Sequence, residues 1–275
     1  MVESVNRNPN EIANDWQMRS WRPLLVVDEA RAQTNPIGRE WVGFFCVVTT
    51  VGQACRFLQE FQSIRESLHA TDVSYKSVNL HRKSNPRRHQ QILSFLESET
   101  AAMPWYVAMT TQHQLDRMRD DSVKARLTIG NPHPDRPAEI GGRELLPAAT
   151  MMREVALRRG YVNEQVDVLI DRSKQFGLDP KTRNLPPNVF EVLGPGSFNA
   201  GPGGVALDPY CPAEFRLIAA SDQTPGLRDL LLLPDFVGYR NRLRLHEEYK
   251  AHPETDNHYM WFKTRDDISN WPTIK

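Results

Sequence analysis

The spacing of hydrophobic residues along the chain predicts short buried strands that alternate with amphipathic helices. The first strand is the aliphatic run 24–27, which ends at Asp28. The apolar, β-rich stretch 41–51 follows a polar turn, and we expect it to pair antiparallel with the first strand. Further strands are predicted at 73–78, 105–109, 165–170 and 215–220.

Helices are predicted where the hydrophobic period lengthens to three or four residues. Between 53 and 69, apolar residues form one helical stripe that consists of Phe57, Phe61, Ile64 and Leu68. Similar stretches occur at 87–103, 148–159 and 227–249. A strand-rich beginning followed by alternating strands and helices predicts an α/β protein, with helices on the faces of a mixed sheet.

Segments rich in proline, glycine and charge predict loop insertions within one domain, because none has the character of a linker between two domains. The domain is expected to span 22–248, with insertions near 128–147 and 194–212. The polar residues 1–21 predict an N-terminal arm, and 249–275 a C-terminal tail with scattered aromatic residues.

The amino-acid composition disfavours several classes of protein. The chain has 275 residues and a formal net charge of zero, so it has no global attraction to nucleic acid or to an anionic membrane. Three cysteines without CxxC spacing disfavour a disulfide scaffold or a zinc knuckle. The N-terminus lacks the pattern of a signal peptide, and no apolar run reaches the roughly 18 residues of a membrane span. We therefore expect a cytoplasmic protein with no membrane partner.

Several common active sites are disfavoured by their missing motifs. The glycine-rich stretch 194–204 lacks the Lys-Ser/Thr pair of a phosphate-binding P-loop. No HExxH sequence occurs, and Ser197 and Ser221 lack the G-x-S-x-G surroundings of an acyl hydrolase.

Two predicted strands share a design in which an aliphatic run leads into an acid. The runs at 24–27 and 166–170 end at Asp28 and Asp171. Ligands of α/β sheets bind at the carboxyl edge, and carboxylates buried together there are costly unless a cation lies between them. Oxygen ligands suit Mg²⁺ or Mn²⁺. Each acid taken alone is also typical of a turn or a helix cap.

A third acid, Asp235, lies within the apolar segment 230–239. Acids in such surroundings are usually paired or bind a metal. Pro234 either kinks a long helix or marks the first turn of a new one, and in the second case Asp235 would favour the helix N-terminus. Arg240 and Arg242 are also possible partners for Asp235.

Four short segments occur in an order and at a spacing that match a known pattern. They are Asp28-Glu29, Tyr75-Lys76-Ser77, Leu169-Ile170-Asp171 and the sequence LLLPDFVG at 231–238. Together they resemble the bacterial RNase H-like family known as domain of unknown function 3800, over roughly residues 22–245. The chain departs from that family at Ala30-Arg31, where Ser-Gly is usual, and at Leu232 and Pro234, where Gln and Ala are usual.

The resemblance implies an RNase H-like fold with a carboxylate active site for Mg²⁺ or Mn²⁺. It implies that Asp28 bridges two ions and that Asp171 and Asp235 each hold one side, for hydrolysis of a phosphodiester bond. Glu29 is a further catalytic candidate, although alternation along an extended strand directs it to the opposite face. Lys76 would orient a phosphate or a water, or is a plain surface lysine.

A basic segment at 81–89 favours nucleic acid as the substrate. It contains four basic side chains that could follow a phosphate backbone, namely Arg82, Lys83, Arg87 and Arg88. Such a run is also typical of the solvated start of a helix.

Three functions remain open at this point. The first is a metal-dependent nuclease. The second is a non-catalytic RNase H-like subunit, which interacts or senses within a bacterial phage-defence or mobile-element system and is favoured slightly by Ala30-Arg31. The third is a hydrolase or phosphate-transfer enzyme that acts on a small molecule.

Overall fold

The centre of the protein is a mixed β-sheet with helices on its faces. The computed structural model describes residues 15–34, 39–69, 86–111, 142–161, 164–171, 198–201, 204–207, 213–220, 225–251 and 261–266. The strands within these ranges are β1 (Pro23–Thr34), β2 (Arg39–Thr50), β3 (Trp105–Thr111), β4 (Gln165–Asp171), β5 (Phe198–Gly201), β6 (Gly204–Leu207), β7 (Glu214–Ala220) and β8 (Trp261–Thr264). The helices are α1 (Val51–Ser67), α2 (Pro86–Ala102), α3 (Gly142–Arg159), α4 (Pro225–Asp229) and α5 (Leu232–Ala251).

The sheet has six described strands in the order β7-β4-β1-β2-β3-β8. β1, β2, β3 and β8 pair antiparallel in succession, whereas β4 lies parallel to β1 and β7 lies parallel to β4. The predicted α/β class and mixed sheet are therefore confirmed. So is the antiparallel pairing of the first two strands, which runs from Pro23 opposite Thr50 to Thr34 opposite Arg39.

Helices cover both faces of the sheet. On the first face, α1, α2 and α5 pack against alternate strand residues that include Leu24 and Val26. On the second face, α3 packs against the intervening residues, among them Leu25 and Val27. All four of these side chains are fully buried, as expected for a strand at the centre of a sheet covered on both sides.

Local sequence signals fix where α1 begins. The Thr50 side chain accepts a hydrogen bond from the Gln53 backbone, and the Gln53 side chain accepts one from Thr50, so the two form a capping box. The predicted helical stripe is confirmed at Phe57 and Phe61, which are fully buried. Both rings stack with Phe95 of α2, at centroid distances of 5.2 Å and 6.0 Å.

The stretch 227–249, predicted as one helix, is divided into α4 and α5. The backbone amides of Leu230 and Leu231 bond to the carbonyls three residues earlier, which tightens the chain at the division. Pro234 lies in the first turn of α5, where its missing N–H costs little. Of the two roles considered for this proline, the start of a new helix is the correct one.

Three other segments add detail to the sequence-based prediction. The glycine-rich insertion contains the separate two-stranded sheet β5-β6, and the C-terminal tail contributes β8 to the main sheet. Within the predicted N-terminal arm, Trp16 is buried against the first face. The predicted strand 73–78 lies outside the described residues.

The described cysteines, Cys46 and Cys55, are free thiols. In the ranges described, no helix combines the length and the apolar character that crossing a membrane requires.

Candidate active site

Asp28 and Asp171 occupy neighbouring positions on the two central parallel strands. The register of β1 and β4 runs from Leu24 opposite Asp167 to Val27 opposite Ile170. The next residue on each strand is Asp28 and Asp171, and paired strands lie about 4.8 Å apart. The backbone thus brings these two predicted site residues together where the parallel pairing ends. The prediction that the first strand ends at Asp28 is wrong, because β1 continues to Thr34 in antiparallel pairing with β2.

Asp28 belongs to the first face of the sheet. It alternates with Val27, which packs on the second face, and its side chain is half-buried. The backbone position of Asp171 alternates in the same way with Ile170, another second-face residue. The side chain of Asp171 lies outside the described part of the structure.

Asp235 reaches the same face from a helix. It lies in the first turn of α5, which packs across β1 and β2. Leu233 and Phe236 on either side are buried in the first-face core, whereas Asp235 is half-buried. The core contacts of α5 therefore bring Asp235 to the face that carries Asp28.

The two arginines considered as partners of Asp235 make other contacts. Arg240 forms an ion pair with Glu97 of α2 and lies over the Phe236 ring. The Arg242 guanidinium lies 3.8 Å from the centroid of the Tyr239 ring, and its Nη1 donates to the Tyr239 carbonyl at 2.6 Å.

Glu29 is opposite Phe44 in the pairing of β1 with β2, and its backbone position alternates with that of Asp28. That position belongs to the second-face set, in agreement with the prediction from strand alternation. The side chain of Glu29 is not among those described.

The structure leaves the predicted basic residues largely undescribed. Lys76, Arg82 and Lys83 lie outside the described residues. Arg87 and Arg88 lie in the first turn of α2, and their side chains are outside the described part.

Among the described side chains, no group of three His, Cys, Asp or Glu residues forms a metal site. The side chain of Asp171 is not among those described. The carboxylate groups of Asp28 and Asp235 offer the oxygen donors that Mg²⁺ and Mn²⁺ prefer.

A second acid of β4, Asp167, has a role that the sequence reasoning missed. It is fully buried, and its Oδ2 accepts a hydrogen bond of 2.9 Å from Trp16 Nε1. Nη1 of the buried Arg22 lies 3.4 Å from Asp167 and 2.8 Å from Asp15. These contacts attach the segment before β1 to β4. The sequence contained one signal for this role, because a charged residue inside an aliphatic strand requires a partner.

A further ion pair links the helices around α5. Nη1 of Arg65 on α1 lies 2.6 Å from Oδ2 of Asp229, the last residue of α4. Burial raises the pKa of the Asp229 carboxyl, and the positive charge of Arg65 opposes that rise. The pair holds α4 against α1, immediately before the helix that carries Asp235.

Two acids therefore lie on the first face, Asp28 on a central strand and Asp235 on a packed helix. Asp171 is the neighbour of Asp28 in the backbone register. Comparisons of the chain with protein-family models, curated proteins and solved structures give no match, so the site is interpreted from its own residues.

Proposed function

We propose that this protein is a divalent-metal-dependent phosphodiester hydrolase with an active site of Asp28, Asp171 and Asp235. The observation that carries the proposal is the juxtaposition of Asp28 and Asp171 at the end of the parallel pairing. Carboxylates concentrated at one point repel each other, and a bound hard cation removes that cost.

The strand arrangement supports an RNase H-like core. The strands β1, β2, β3 and β8 form an antiparallel series, and the later strands β4 and β7 extend the sheet from β1 in parallel. A mixed sheet flanked by helices is the form that the family resemblance implies. The acids of the proposed site come from the first strand, a later parallel strand and a late helix, in the order that the family resemblance implies.

The donor set fits Mg²⁺ or Mn²⁺, which would supply an activated water and stabilise the leaving oxygen when bound. Asp28 is proposed as the central ligand because β1, the strand that carries it, pairs with β4 and also contacts α5. Asp171 and Asp235 would complete the set of carboxylates that holds the metal. Glu29 suits metal binding less, because its strand position belongs to the opposite face of the sheet. Lys76 is proposed to orient the phosphate.

The basic segment supports a polynucleotide as the substrate. Arg82, Lys83, Arg87 and Arg88 concentrate positive charge in a chain whose net charge is zero. A local concentration of this kind binds phosphate backbones even when the whole protein is neutral.

The test replaces Asp28 or Asp171 by asparagine, which keeps the size of the side chain and removes its charge. We expect wild-type protein with Mn²⁺ to cleave an oligonucleotide, and both variants to lose cleavage by orders of magnitude while they stay folded by circular dichroism. Asp266→Asn is the matched control, because Asp266 is an exposed acid beside the edge strand β8. Cleavage by Asp28→Asn at the wild-type rate would refute the proposal.

A second function keeps the same fold without catalysis. The departure at Ala30-Arg31, directly after the proposed ligand Asp28, favours an interaction or sensor subunit of a bacterial defence or mobile-element system. Isothermal titration with Mn²⁺ separates the two functions: a wild-type protein that neither binds Mn²⁺ nor cleaves DNA or RNA would support the second.

A further inference from the structure

One face of α5 carries a row of polar residues that leads away from the proposed active site. Asp235, Tyr239 and Arg242 are spaced at i, i+4 and i+7, so they lie one above another along the helix. Asp235 and Tyr239 are half-buried, whereas Arg242 is exposed.

The Arg242 guanidinium is held in a fixed orientation. It stacks over the Tyr239 ring and donates one hydrogen bond to the Tyr239 carbonyl, which uses one of its five N–H donors. No carboxylate among the described side chains lies within ion-pair distance of Arg242. A stacked, exposed guanidinium of this kind retains the planar donor pattern that matches a phosphate.

Arg240 provides a contrast on the same helix. Its guanidinium is paired with Glu97, so its charge is already compensated by a neighbouring helix. The segment 239–246 contains no acid, and Glu247 lies five residues after Arg242, beyond the i+3 and i+4 positions that face Arg242 on the helix.

The distance between Asp235 and Arg242 along the helix sets the minimum length of the ligand. Seven residues of α-helix span about 10 Å, and a stacked strand advances about 3.4 Å per nucleotide. A phosphate at Arg242 would therefore be about three nucleotides from a phosphate at Asp235. A mononucleotide is too short to reach both positions.

We infer that Arg242, oriented by Tyr239, binds a backbone phosphate of a polynucleotide strand whose reacting bond lies at the acids, about three nucleotides away. The inference rests on the proposed function and adds to its polynucleotide substrate a phosphate contact outside the basic segment 81–89. The contact is made to the backbone, so it is independent of base sequence.

The experiment measures binding of fluorescent single-stranded DNA and RNA oligonucleotides by anisotropy, with Ca²⁺ in place of Mn²⁺. We expect Arg242→Ala to weaken binding about tenfold, the loss typical of one charge-assisted hydrogen bond. The slope of log affinity against log salt should become shallower by about 0.7, which corresponds to one lost phosphate contact on a single strand. Arg242→Lys should keep the slope because it keeps the charge.

Arg240→Ala is the matched control and should bind as wild type does. A loss of affinity through altered folding would appear in the thermal melt and would leave the salt slope unchanged. Equal affinity and salt slope for Arg242→Ala and wild type would overturn the inference, and so would a wild-type protein that binds neither oligonucleotide.

Hydrolysis of bis(p-nitrophenyl) phosphate distinguishes this inference from the proposed function. That substrate is too small to reach Arg242, so Arg242→Ala should hydrolyse it at the wild-type rate while its cleavage of oligonucleotides falls. If Asp28→Asn hydrolyses it as well as wild type does, the proposed function fails. If Arg242→Ala loses both activities equally, the assignment of Arg242 to a distant phosphate fails.

Discussion

Asp167 and Asp171 lie four residues apart on β4, and their surroundings favour different roles. Asp167 is fully buried, and its charge is compensated by Arg22 and by the indole N–H of Trp16. Asp171 lies at the carboxyl end of the strand, beside Asp28, where a ligand of an α/β sheet is expected. One acid stabilises the fold, and the other is proposed to bind the metal.

Substitution separates these two roles. We expect Asp167→Asn to lower the free energy of unfolding by about 1–3 kcal/mol, because it removes one of the two carboxylates that compensate the buried Arg22 charge. Asp15 remains 2.8 Å from Nη1 of Arg22, whereas Nη2 of Arg22 has no hydrogen-bond partner among the described residues. Urea unfolding measures the loss. Asp171→Asn is the control and should lose no stability, because it removes a charge that the proposed site places beside Asp28, and an equal loss in both variants would contradict the distinction.

The sequence could predict the strand that contains both acids, but not the difference between them. Alternating aliphatic residues identify β4, and strand alternation assigns Asp171 and Asp28 to the same face once the register is known. The partners of Asp167 are separated from it by 145 and 151 residues along the chain. No local pattern contains that information, because it arises when the segment before β1 packs against β4.

At the scale of single elements, local signals indicated some helix boundaries and not others: the end of α3 agrees with the predicted 159, whereas its start at Gly142 lies six residues before the predicted 148. The sequence Thr50-Val51-Gly52-Gln53 has the form of a capping box, and α1 begins there. The division between α4 and α5 was one of the two alternatives that Pro234 allowed, and the hydrophobic pattern could not decide between them because Leu230 and Leu231 continue it through the division. Their burial in the first-face core, rather than a polar breaker, sets that boundary.

Removal of the α1 cap tests how far the helix depends on it. We expect Thr50→Ala to cost about 1 kcal/mol of stability, because the Gln53 amide then loses its acceptor at the helix start. Ser63→Ala is the control, since it also removes a hydroxyl from α1 but from an exposed interior position where alanine is the better helix former. The denaturant midpoints of both variants measure the effect, and an equal loss would argue against the cap.

At the scale of the whole molecule, the chain order of the strands was predictable but their spatial order was not. Hydrophobic spacing predicts most of the strands of the sheet, and the pairing of β1 with β2 follows from their proximity. The addition of β4 and β7 on the other side of β1 depends on contacts between distant parts of the chain. The pairing of β8 with β3 was likewise not visible, because a four-residue strand in a polar tail gives almost no periodic signal.

The proposed metal site predicts that its acids destabilise the protein in the absence of metal. If Asp28, Asp171 and Asp235 form that site, they repel one another, so removal of one charge should relieve the repulsion. We expect Asp28→Asn to be more stable than wild type by about 1 kcal/mol in EDTA, as is typical where function costs stability. In Mn²⁺ at about 100 times its dissociation constant, wild type should gain about 2.7 kcal/mol and the variant little.

The order of the two stabilities should therefore invert between EDTA and Mn²⁺. Thermal melts under both conditions measure this without any substrate, so the result does not depend on catalytic turnover. Asp266→Asn should follow wild type in both, because its exposed charge is not part of the cluster. If Asp28→Asn and wild type respond equally to Mn²⁺, the acids do not bind the metal together. An inverted order of the two stabilities would show that the metal offsets the repulsion between the acids, because that repulsion depends on Asp28.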